Sequence, residues 1–354
     1  MSGIRVLVTG ATPGGVGFGI LEALDGAGYS VFATDITAYS GGLVTAEQGF
    51  VVPSAEHPDY LKTITAICTK YAIKLIVPGS EPELLALARN SARLESQGIL
   101  LIANDYELIE KCNDKWKAFL TFRANGIPCP DSVLPDDYDA FMREHGFPIL
   151  LKPVRGRGSK NLYVARNESE YIFYSSKLRE SDVSFLLQEY VGTGSEEYTV
   201  GVVCRKDRSV VGSIAVRRLL EGISSQERIP SGDSIVEIST GITQGIVEDN
   251  KPIQQQCEHH AVRLGVTGPA NFQGRLVNGV FIVFEVNARF SGTTPFRAVV
   301  GFNDVDMIIR DRLGQKVERP QFKTNVVLLR TLQNTCVPLE MIKRVEAASQ
   351  HLID

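Results

Sequence analysis

The segment FEVNARFSG carries the clearest chemistry in this chain. Read as a strand, it points Glu285 and Asn287 to one face and Val286 and Ala288 to the other. A carboxylate and an amide on one face, with Arg289 following, form an oxygen-ligand pair beside a cation. That combination suits Mg2+ held jointly by protein and triphosphate oxygens, with Arg289 stabilising charge on a transferred phosphoryl group. The competing reading is a solvated strand face. Phe281, Ile282, Val283, Phe284 and Phe290 argue instead for burial on both sides, where a carboxylate needs a partner.

Gln273, on the preceding strand GPANFQGRLV, is a candidate third ligand if the hairpin register allows it. A two-residue turn at Asn278-Gly279 sets Gln273 opposite Phe284, on the wrong face. A three-residue loop from Val277 to Gly279 moves it opposite Val283, diagonal to Glu285, and this loop is the expectation. A two-residue register without a bulge excludes Gln273 from the metal site.

Lys152 ends an apolar strand and is followed by VRGRGSK, a glycine-rich loop whose cations could neutralise phosphates. Taken alone, such a loop is equally a surface hairpin. In LLQEYVGTGSEEYTV, Gln188, Glu189 and Tyr190 break an apolar strand that could offer backbone groups to a purine, and Glu197 could accept from ribose hydroxyls. Upstream, VTGATPGGVGFGIL follows a strand and opens a helix, and the next strand ends in Asp35, as in dinucleotide-binding βαβ units. Its glycine spacing departs from theirs, and no tyrosine is followed by lysine four residues on, as short-chain dehydrogenases require.

The elements that must carry these residues follow from periodicity. Residues 1–112 alternate strands (IRVLVTG, YSVFATDI, IKLIVPGS, GILLIAND) with helical stretches, predicting a doubly wound parallel Rossmann-like domain. Beyond it the pattern is largely antiparallel, with a helix in NDKWKAFLTFRANGIPCPDS, another around Gln254–Leu264, and a long polar loop from Glu221 to Asp233. The expected organisation is 1–112, then two lobes at 113–187 and 188–318, and an unassigned segment at 319–354. The 354 residues carry a net charge of −4, which gives no reason to expect nucleic acid as a partner. No apolar run suits a bilayer, no signal peptide is visible, and six scattered cysteines suggest reduced thiols in a cytoplasmic protein.

Lys115 in NDKWKAF, Lys152 in LLKP, GRGSK, QEYV, EEYTV, GPANFQ and FEVNARFSG stand in the order found in ATP-grasp ligases. Over residues 1 to about 315 the chain resembles that superfamily, and most closely the ATP-grasp unit of carbamoyl-phosphate synthetase large chains and stand-alone carboxylate–amine ligases. The resemblance implies a Rossmann-like pre-ATP-grasp domain followed by a two-lobed ATP-grasp fold of mixed α/β and α+β class. It implies that Lys115 and Lys152 bind ATP phosphates under a flexible loop of Gly156, Arg157, Gly158, Ser159 and Lys160. Glu189, Tyr190 and Val191 would border adenine, and Glu197 would hold ribose. Gln273, Glu285 and Asn287 would surround Mg2+, with Mn2+ as an alternative, and Arg289 would meet an acyl phosphate. The implied reaction joins a small-molecule carboxylate to an amine, with ADP released, and dimers are common among similar ligases.

The chain departs from the synthetase pattern in having one such unit, which puts carbamoyl phosphate synthesis in doubt, and in Ala288, where proline is common. In RRLLEGISSQERIPSGDS, Arg217, Arg218, Arg228, Ser231 and Ser234 could hold a substrate carboxylate by bidentate pairing or form a solvated loop. The turn with Gly14 and Gly15 would touch substrate or only pack its helix. The alternatives are a non-catalytic nucleotide-binding module, against which the intact Glu285, Asn287 and Arg289 argue, and an NAD(P)-dependent oxidoreductase.

Overall fold

The computed structural model describes residues 3–156, 158–222, 225–231, 234–331, 334–350 and 352. The first sheet is parallel and holds β1 (Ile4–Val8), β2 (Tyr29–Asp35), β3 (Gln48–Val51), β4 (Leu75–Val77) and β5 (Leu100–Leu101) in the order β3-β2-β1-β4-β5. Val6, Leu7 and Val8 are fully buried, as continuous apolar strands covered on both faces should be. β3 was not expected; QGFV is too short and its glycine too weak a strand former for the pattern to stand out. The glycine turn closes tightly here. A Cβ on Gly17 would lie 2.2 Å from the Gly10 carbonyl oxygen, so the helix Val16–Leu24 packs on the strand ends only because that side chain is absent.

The small lobe is an antiparallel sheet of β6 (Ser132–Val133), β7 (Ile149–Pro153), β8 (Tyr163–Ala165) and β9 (Phe185–Glu189), ordered β6-β9-β7-β8. β9 runs two residues past the expected boundary at 187. The helix Lys115–Ala124 leads into this lobe, its N-terminus capped by Asp114, which accepts from the Lys117 amide at 3.0 Å.

In the large lobe, β10 (Glu197–Cys204) and β11 (Val210–Arg218) are followed by a hairpin of β12 (Ser225–Ser231) and β13 (Ser234–Ser239), then β14 (Gly245–Glu248). Residues 225–231 of the stretch expected as a polar loop therefore form a strand, paired with 234–239 beyond it. Val236 and Ile238 give it an apolar face that packs on Leu150 and Val164 of the small lobe, a tertiary contact that local pattern does not encode. β15 (Pro269–Val277), β16 (Val280–Asn287) and β17 (Val326–Leu328) complete a six-stranded sheet ordered β16-β15-β10-β11-β14-β17. The unassigned C-terminal segment thus supplies an edge strand. Its helix Leu339–Ser349 returns to the first sheet, where Ser349 Oγ accepts from the Val51 amide at 2.8 Å.

The hairpin joining β15 and β16 corrects the register expectation. Val277 faces Val280, so the loop is the two-residue Asn278-Gly279 turn, with φ of +49° and +80°, the geometry that matches strand twist. The face is restored by a bulge instead. Gly274 pairs with Val283 but Gln273 pairs with Glu285, leaving Phe284 as the extra residue. A Cβ on Gly274 would meet the Ile282 carbonyl oxygen at 2.3 Å, so glycine is what admits the bulge.

Candidate functional site

The first sheet, the small-lobe sheet, the six-stranded sheet and the β12–β13 hairpin all open onto one cleft of about 970 Å³. Its wall in the large lobe is a ladder set by strand register. Glu197 faces Arg275; Thr199, Gln273 and Glu285 form the next row; Asn271 faces Asn287 in the third. On the reverse of β16, Val283, Val286 and Ala288 enter an apolar core, so Glu285 and Asn287 share the cleft face as their spacing predicts.

Glu285 Oε1 accepts from Asn287 Nδ2 at 2.9 Å, which turns the Asn287 carbonyl oxygen outward. With the Gln273 amide the set offers only hard oxygens on a half-buried wall, a donor set that fits Mg2+ and fits softer ions poorly. Arg289 borders the same wall, donates to the Phe290 carbonyl at 2.9 Å and lies 3.9 Å from Glu81 of the first domain.

Lys152 is buried, hydrogen-bonded to Gln188 Oε1 and 5.2 Å from the Phe284 ring centroid. Burial pulls its ammonium down to about 7, with nearby Glu285 pulling the other way. Lys115 Nζ donates to the Gly156 carbonyl at 2.9 Å, so both lysines converge where the basic loop begins. Gly156, Gly158, Ser159 and Lys160 line the cleft, and Ser159 Oγ donates to the Ser239 carbonyl at 2.8 Å, joining the lobes; Arg157 lies outside the described residues.

Glu189, Tyr190 and Val191 line the cleft between the lobes. The Glu189 carboxylate accepts from the Asp131 amide at 2.8 Å and sits 3.3 Å from His145 Nδ1, so its side chain is engaged with the small lobe. Tyr190 lies under the Arg275 guanidinium at 4.7 Å, and the Val191 carbonyl accepts from Arg275 Nη1 at 3.1 Å. Glu197 is almost fully buried between two arginines: Arg218 at 2.9 Å on Oε1, and Arg275 at 3.0 and 3.1 Å on Oε2. Of a carboxylate's roughly four acceptor positions, about one remains on Oε1 for a hydroxyl.

The two arginines expected to hold substrate are placed otherwise. Arg217 is on the opposite sheet face, where its Nε donates to Glu248 at 2.6 Å. Arg218 borders the cleft, but Nη1 donates to Glu197 and Ser239 Oγ, and Nη2 to the carbonyls of Thr240 and Ile242, because a buried carboxylate demands a cation. Their neighbours Arg228, Ser231 and Ser234 have side chains outside the described residues.

Gly14 and Gly15 do line the cleft. Around them the first domain contributes Asp35, marked in the sequence as the acid that ends β2, and Glu83, which the sequence did not single out. Asp35 accepts from the Thr12 hydroxyl at 2.8 Å and the Ile36 amide at 2.7 Å. Glu83 is buried, accepts from Ser80 Oγ at 2.5 Å and the Tyr60 hydroxyl at 3.2 Å, and is pushed up to about 7 by burial. Its only sequence signal is an acidic helix start in SEPELL, which reads equally as an ordinary N-terminus.

Residues 18–102 match the model of the PylC-like N-terminal domain, and residues 181–335 match the model described as ATP-grasp in the biosynthetic pathway with Ter operon. The chain is 26% identical over 215 residues to the carbamoyl phosphate synthase large chain of Deinococcus radiodurans, covering 58% of this chain and 20% of that one. The Clostridium perfringens large chain is 28% identical over 205 residues, covering 56% and 18%. The chain therefore spans about a fifth of the length of these curated relatives. Among solved structures, the biotin carboxylase domain dimer of Hydrogenobacter thermophilus 2-oxoglutarate carboxylase superposes with a TM-score of 0.67 at 19% identity, covering 92% of this chain and 74% of that one. The N5-carboxyaminoimidazole synthetase of Staphylococcus aureus, complexed with ADP, gives 0.68 at 14%, covering 90% and 80%. The chain carries an ATP-grasp domain behind a PylC-like N-terminal domain and is homologous to the carbamoyl phosphate synthase large chain.

Proposed function

We propose that the protein is an ATP-dependent, ADP-forming carboxylate–amine ligase, with an amino acid on at least one side of the bond formed. The observation that carries this reading is the row of Gln273 and Glu285 beside Asn287, brought onto one cleft face by the bulge and opposed by Lys115 and Lys152. ATP supplies the phosphoryl group, and Mg2+, or Mn2+ in its place, neutralises triphosphate oxygens. Gln273, Glu285 and Asn287 hold the ion; Lys115, Lys152 and the loop Gly156–Lys160 hold phosphates; Glu189, Tyr190 and Val191 border adenine; the remaining acceptor of Glu197 takes a ribose hydroxyl. A carboxylate oxygen attacks the terminal phosphorus and ADP leaves. The amine then attacks the carbonyl carbon, loses its proton, and phosphate departs with the former carboxylate oxygen. Arg289 stabilises charge on the acyl phosphate, and the facing lobes exclude water from it.

The Gly14–Gly15 turn and the acids Asp35, Glu81 and Glu83 border the same cleft, and they suit an amine-bearing acceptor. The biotin carboxylase domain above is a dimer, which supports a homodimer here, to be checked by light scattering. Among the described residues no helix is long and apolar enough to cross a membrane, which is compatible with a cytoplasmic place. The test is ADP release from Mg-ATP against pooled carboxylic acids and amino acids, with Glu285→Ala as the blank. A pool that stimulates the intact protein alone supports the ligase. Mg-ADP binding with no stimulation by any pool favours a module that only binds nucleotide.

A further inference from the structure

The sheet of the first domain acts as a ruler for the acceptor, an inference that rests on the ligase reading. Glu81, on the turn after β4, lies 3.9 Å from Arg289, so this turn meets the reaction centre. From there the cleft continues over the carboxyl ends of the strands, where ligands of open α/β sheets bind. Thr12 borders it after β1, Ile36 after β2 and Ala55 after β3. In the order β3-β2-β1-β4 adjacent strands lie about 4.8 Å apart, so the two steps from β4 to β2 cover about 10 Å and a third, to β3, about 14 Å. The volume agrees: about 970 Å³ stands at the upper end of the roughly 300–1,000 Å³ that one small ligand's pocket takes.

The far end of that span is apolar. Ile36 is 65% exposed although its backbone is held fast. Its amide donates to Asp35 Oδ1 at 2.7 Å, the Asp35 carbonyl accepts from the Val52 amide at 2.9 Å, and Asp35 Oδ2 accepts from the Thr12 hydroxyl at 2.8 Å. A lone exposed isoleucine on an outer surface is ordinary. This one is fixed inside a cleft, and Val16, Ala55 and Pro82 border the first domain's share of it without being buried. The described residues of that share include the acids Asp35, Glu56, Glu81 and Glu83 and no lysine, arginine or histidine. An ammonium group is welcome there, and a carboxylate at the far end would meet no cation.

We propose that the acceptor is an elongated amine with an apolar body, its nitrogen at the Glu81 turn and its chain crossing the ends of β1 and β2 to cover Ile36. Ile36 is then a specificity-determining residue for the length and polarity of the acceptor. Burial of the chain against a rigid strand end supplies affinity and directs the nitrogen toward Arg289. A short amine fills only the part of the cleft near the β4 turn and leaves Ile36 in water.

Ile36→Glu puts a charge where the chain should rest, at an exposed position that the core does not need. The protein is first loaded with Mg and the β,γ-imido analogue of ATP, with affinity read by calorimetry. Butylamine, which stops short of Ile36, and octylamine, which reaches it, are then titrated by NMR. In the wild type octylamine should bind at least about tenfold tighter, a modest part of the roughly fourfold that each fully buried methylene supplies. In Ile36→Glu the preference should fall to about threefold or less, and Ile36→Ala should lie between, with analogue affinity within about threefold of wild type in both. Octylamine no tighter than butylamine in the wild type, a preference unchanged in both variants, or neither amine bound by the loaded wild type overturns the elongated seat while leaving the ligase reading standing. A wild type that takes up no Mg-nucleotide overturns both.

Discussion

The wall of β15 and β16 and the glycine turn of the first domain border one cleft but are built on opposite plans. On the wall, register delivers Gln273, Glu285, Asn287 and Asn271 to one face, and oxygens or donors are left over after the internal hydrogen bonds are counted. At the turn, the acids are satisfied locally: Asp35 by Thr12 and Ile36, Glu83 by Ser80 and Tyr60. Leftover polar capacity on rigid strands marks where ligand atoms are required. Local satisfaction leaves the acids of the first domain little capacity for further acceptor contacts. Within the turn, Gly17 is needed to pack Val16–Leu24 against the strand ends, whereas Gly14 has open space around it and faces the cleft.

The comparison breaks most severely at the wall. Glu285→Ala should lower turnover at least about a hundredfold, measured as ADP release. Glu197→Gln strips the carboxylate charge from Arg218 and Arg275 and should destabilise the fold by about 3–5 kcal/mol in denaturant unfolding. Gly274→Ala should disturb the bulge and move Gln273 off the Glu285 row, weakening Mg-dependent nucleotide binding about tenfold in calorimetry with little change in metal-free binding.

Two titrations sharpen the contrast further. Lys152 has a folded value of about 7, below its ordinary 10.5, so above pH 7 the native state binds fewer protons than the unfolded chain. It therefore makes stability rise with pH between about 7 and 10.5, and the proposed contact with phosphate would recharge it. Nucleotide binding at about pH 8 should take up a proton, read from calorimetry in buffers of different ionisation enthalpy, and Lys152→Met should abolish the uptake. Glu83 behaves in the opposite sense: its folded value of about 7 lies above its ordinary 4.5, so the stability it contributes is lost as pH rises through that window. Glu83→Gln should flatten that slope. The smallest effect belongs to the turn, where Asp35→Ala should leave ATP affinity within about twofold.

Much of this was legible in the sequence where periodicity and chemistry coincide. Alternation put Glu285 and Asn287 on one face, and parallel-strand runs announced the first domain. The hairpin register was not legible, because a two-residue turn with a bulge and a three-residue loop are both routes to one face, and only the Gly274 contact decides between them. Arg217 and Arg218 read alike in sequence but part in the structure: adjacent residues on a strand diverge, so Arg217 turns to Glu248 while Arg218 borders the cleft, bonded to the buried Glu197. The pairing of residues 225–239 and the reach of Arg330 to Gly292 are tertiary, and no local pattern encodes them.

The most direct test of the central claim uses the carboxylic acids that stimulate ADP release, labelled with heavy oxygen in the carboxylate. An acyl phosphate requires each turnover to place one labelled oxygen in the inorganic phosphate recovered. Phosphate released without label, at the same rate as ADP, would mean that water and not carboxylate receives the phosphoryl group, and would contradict the account.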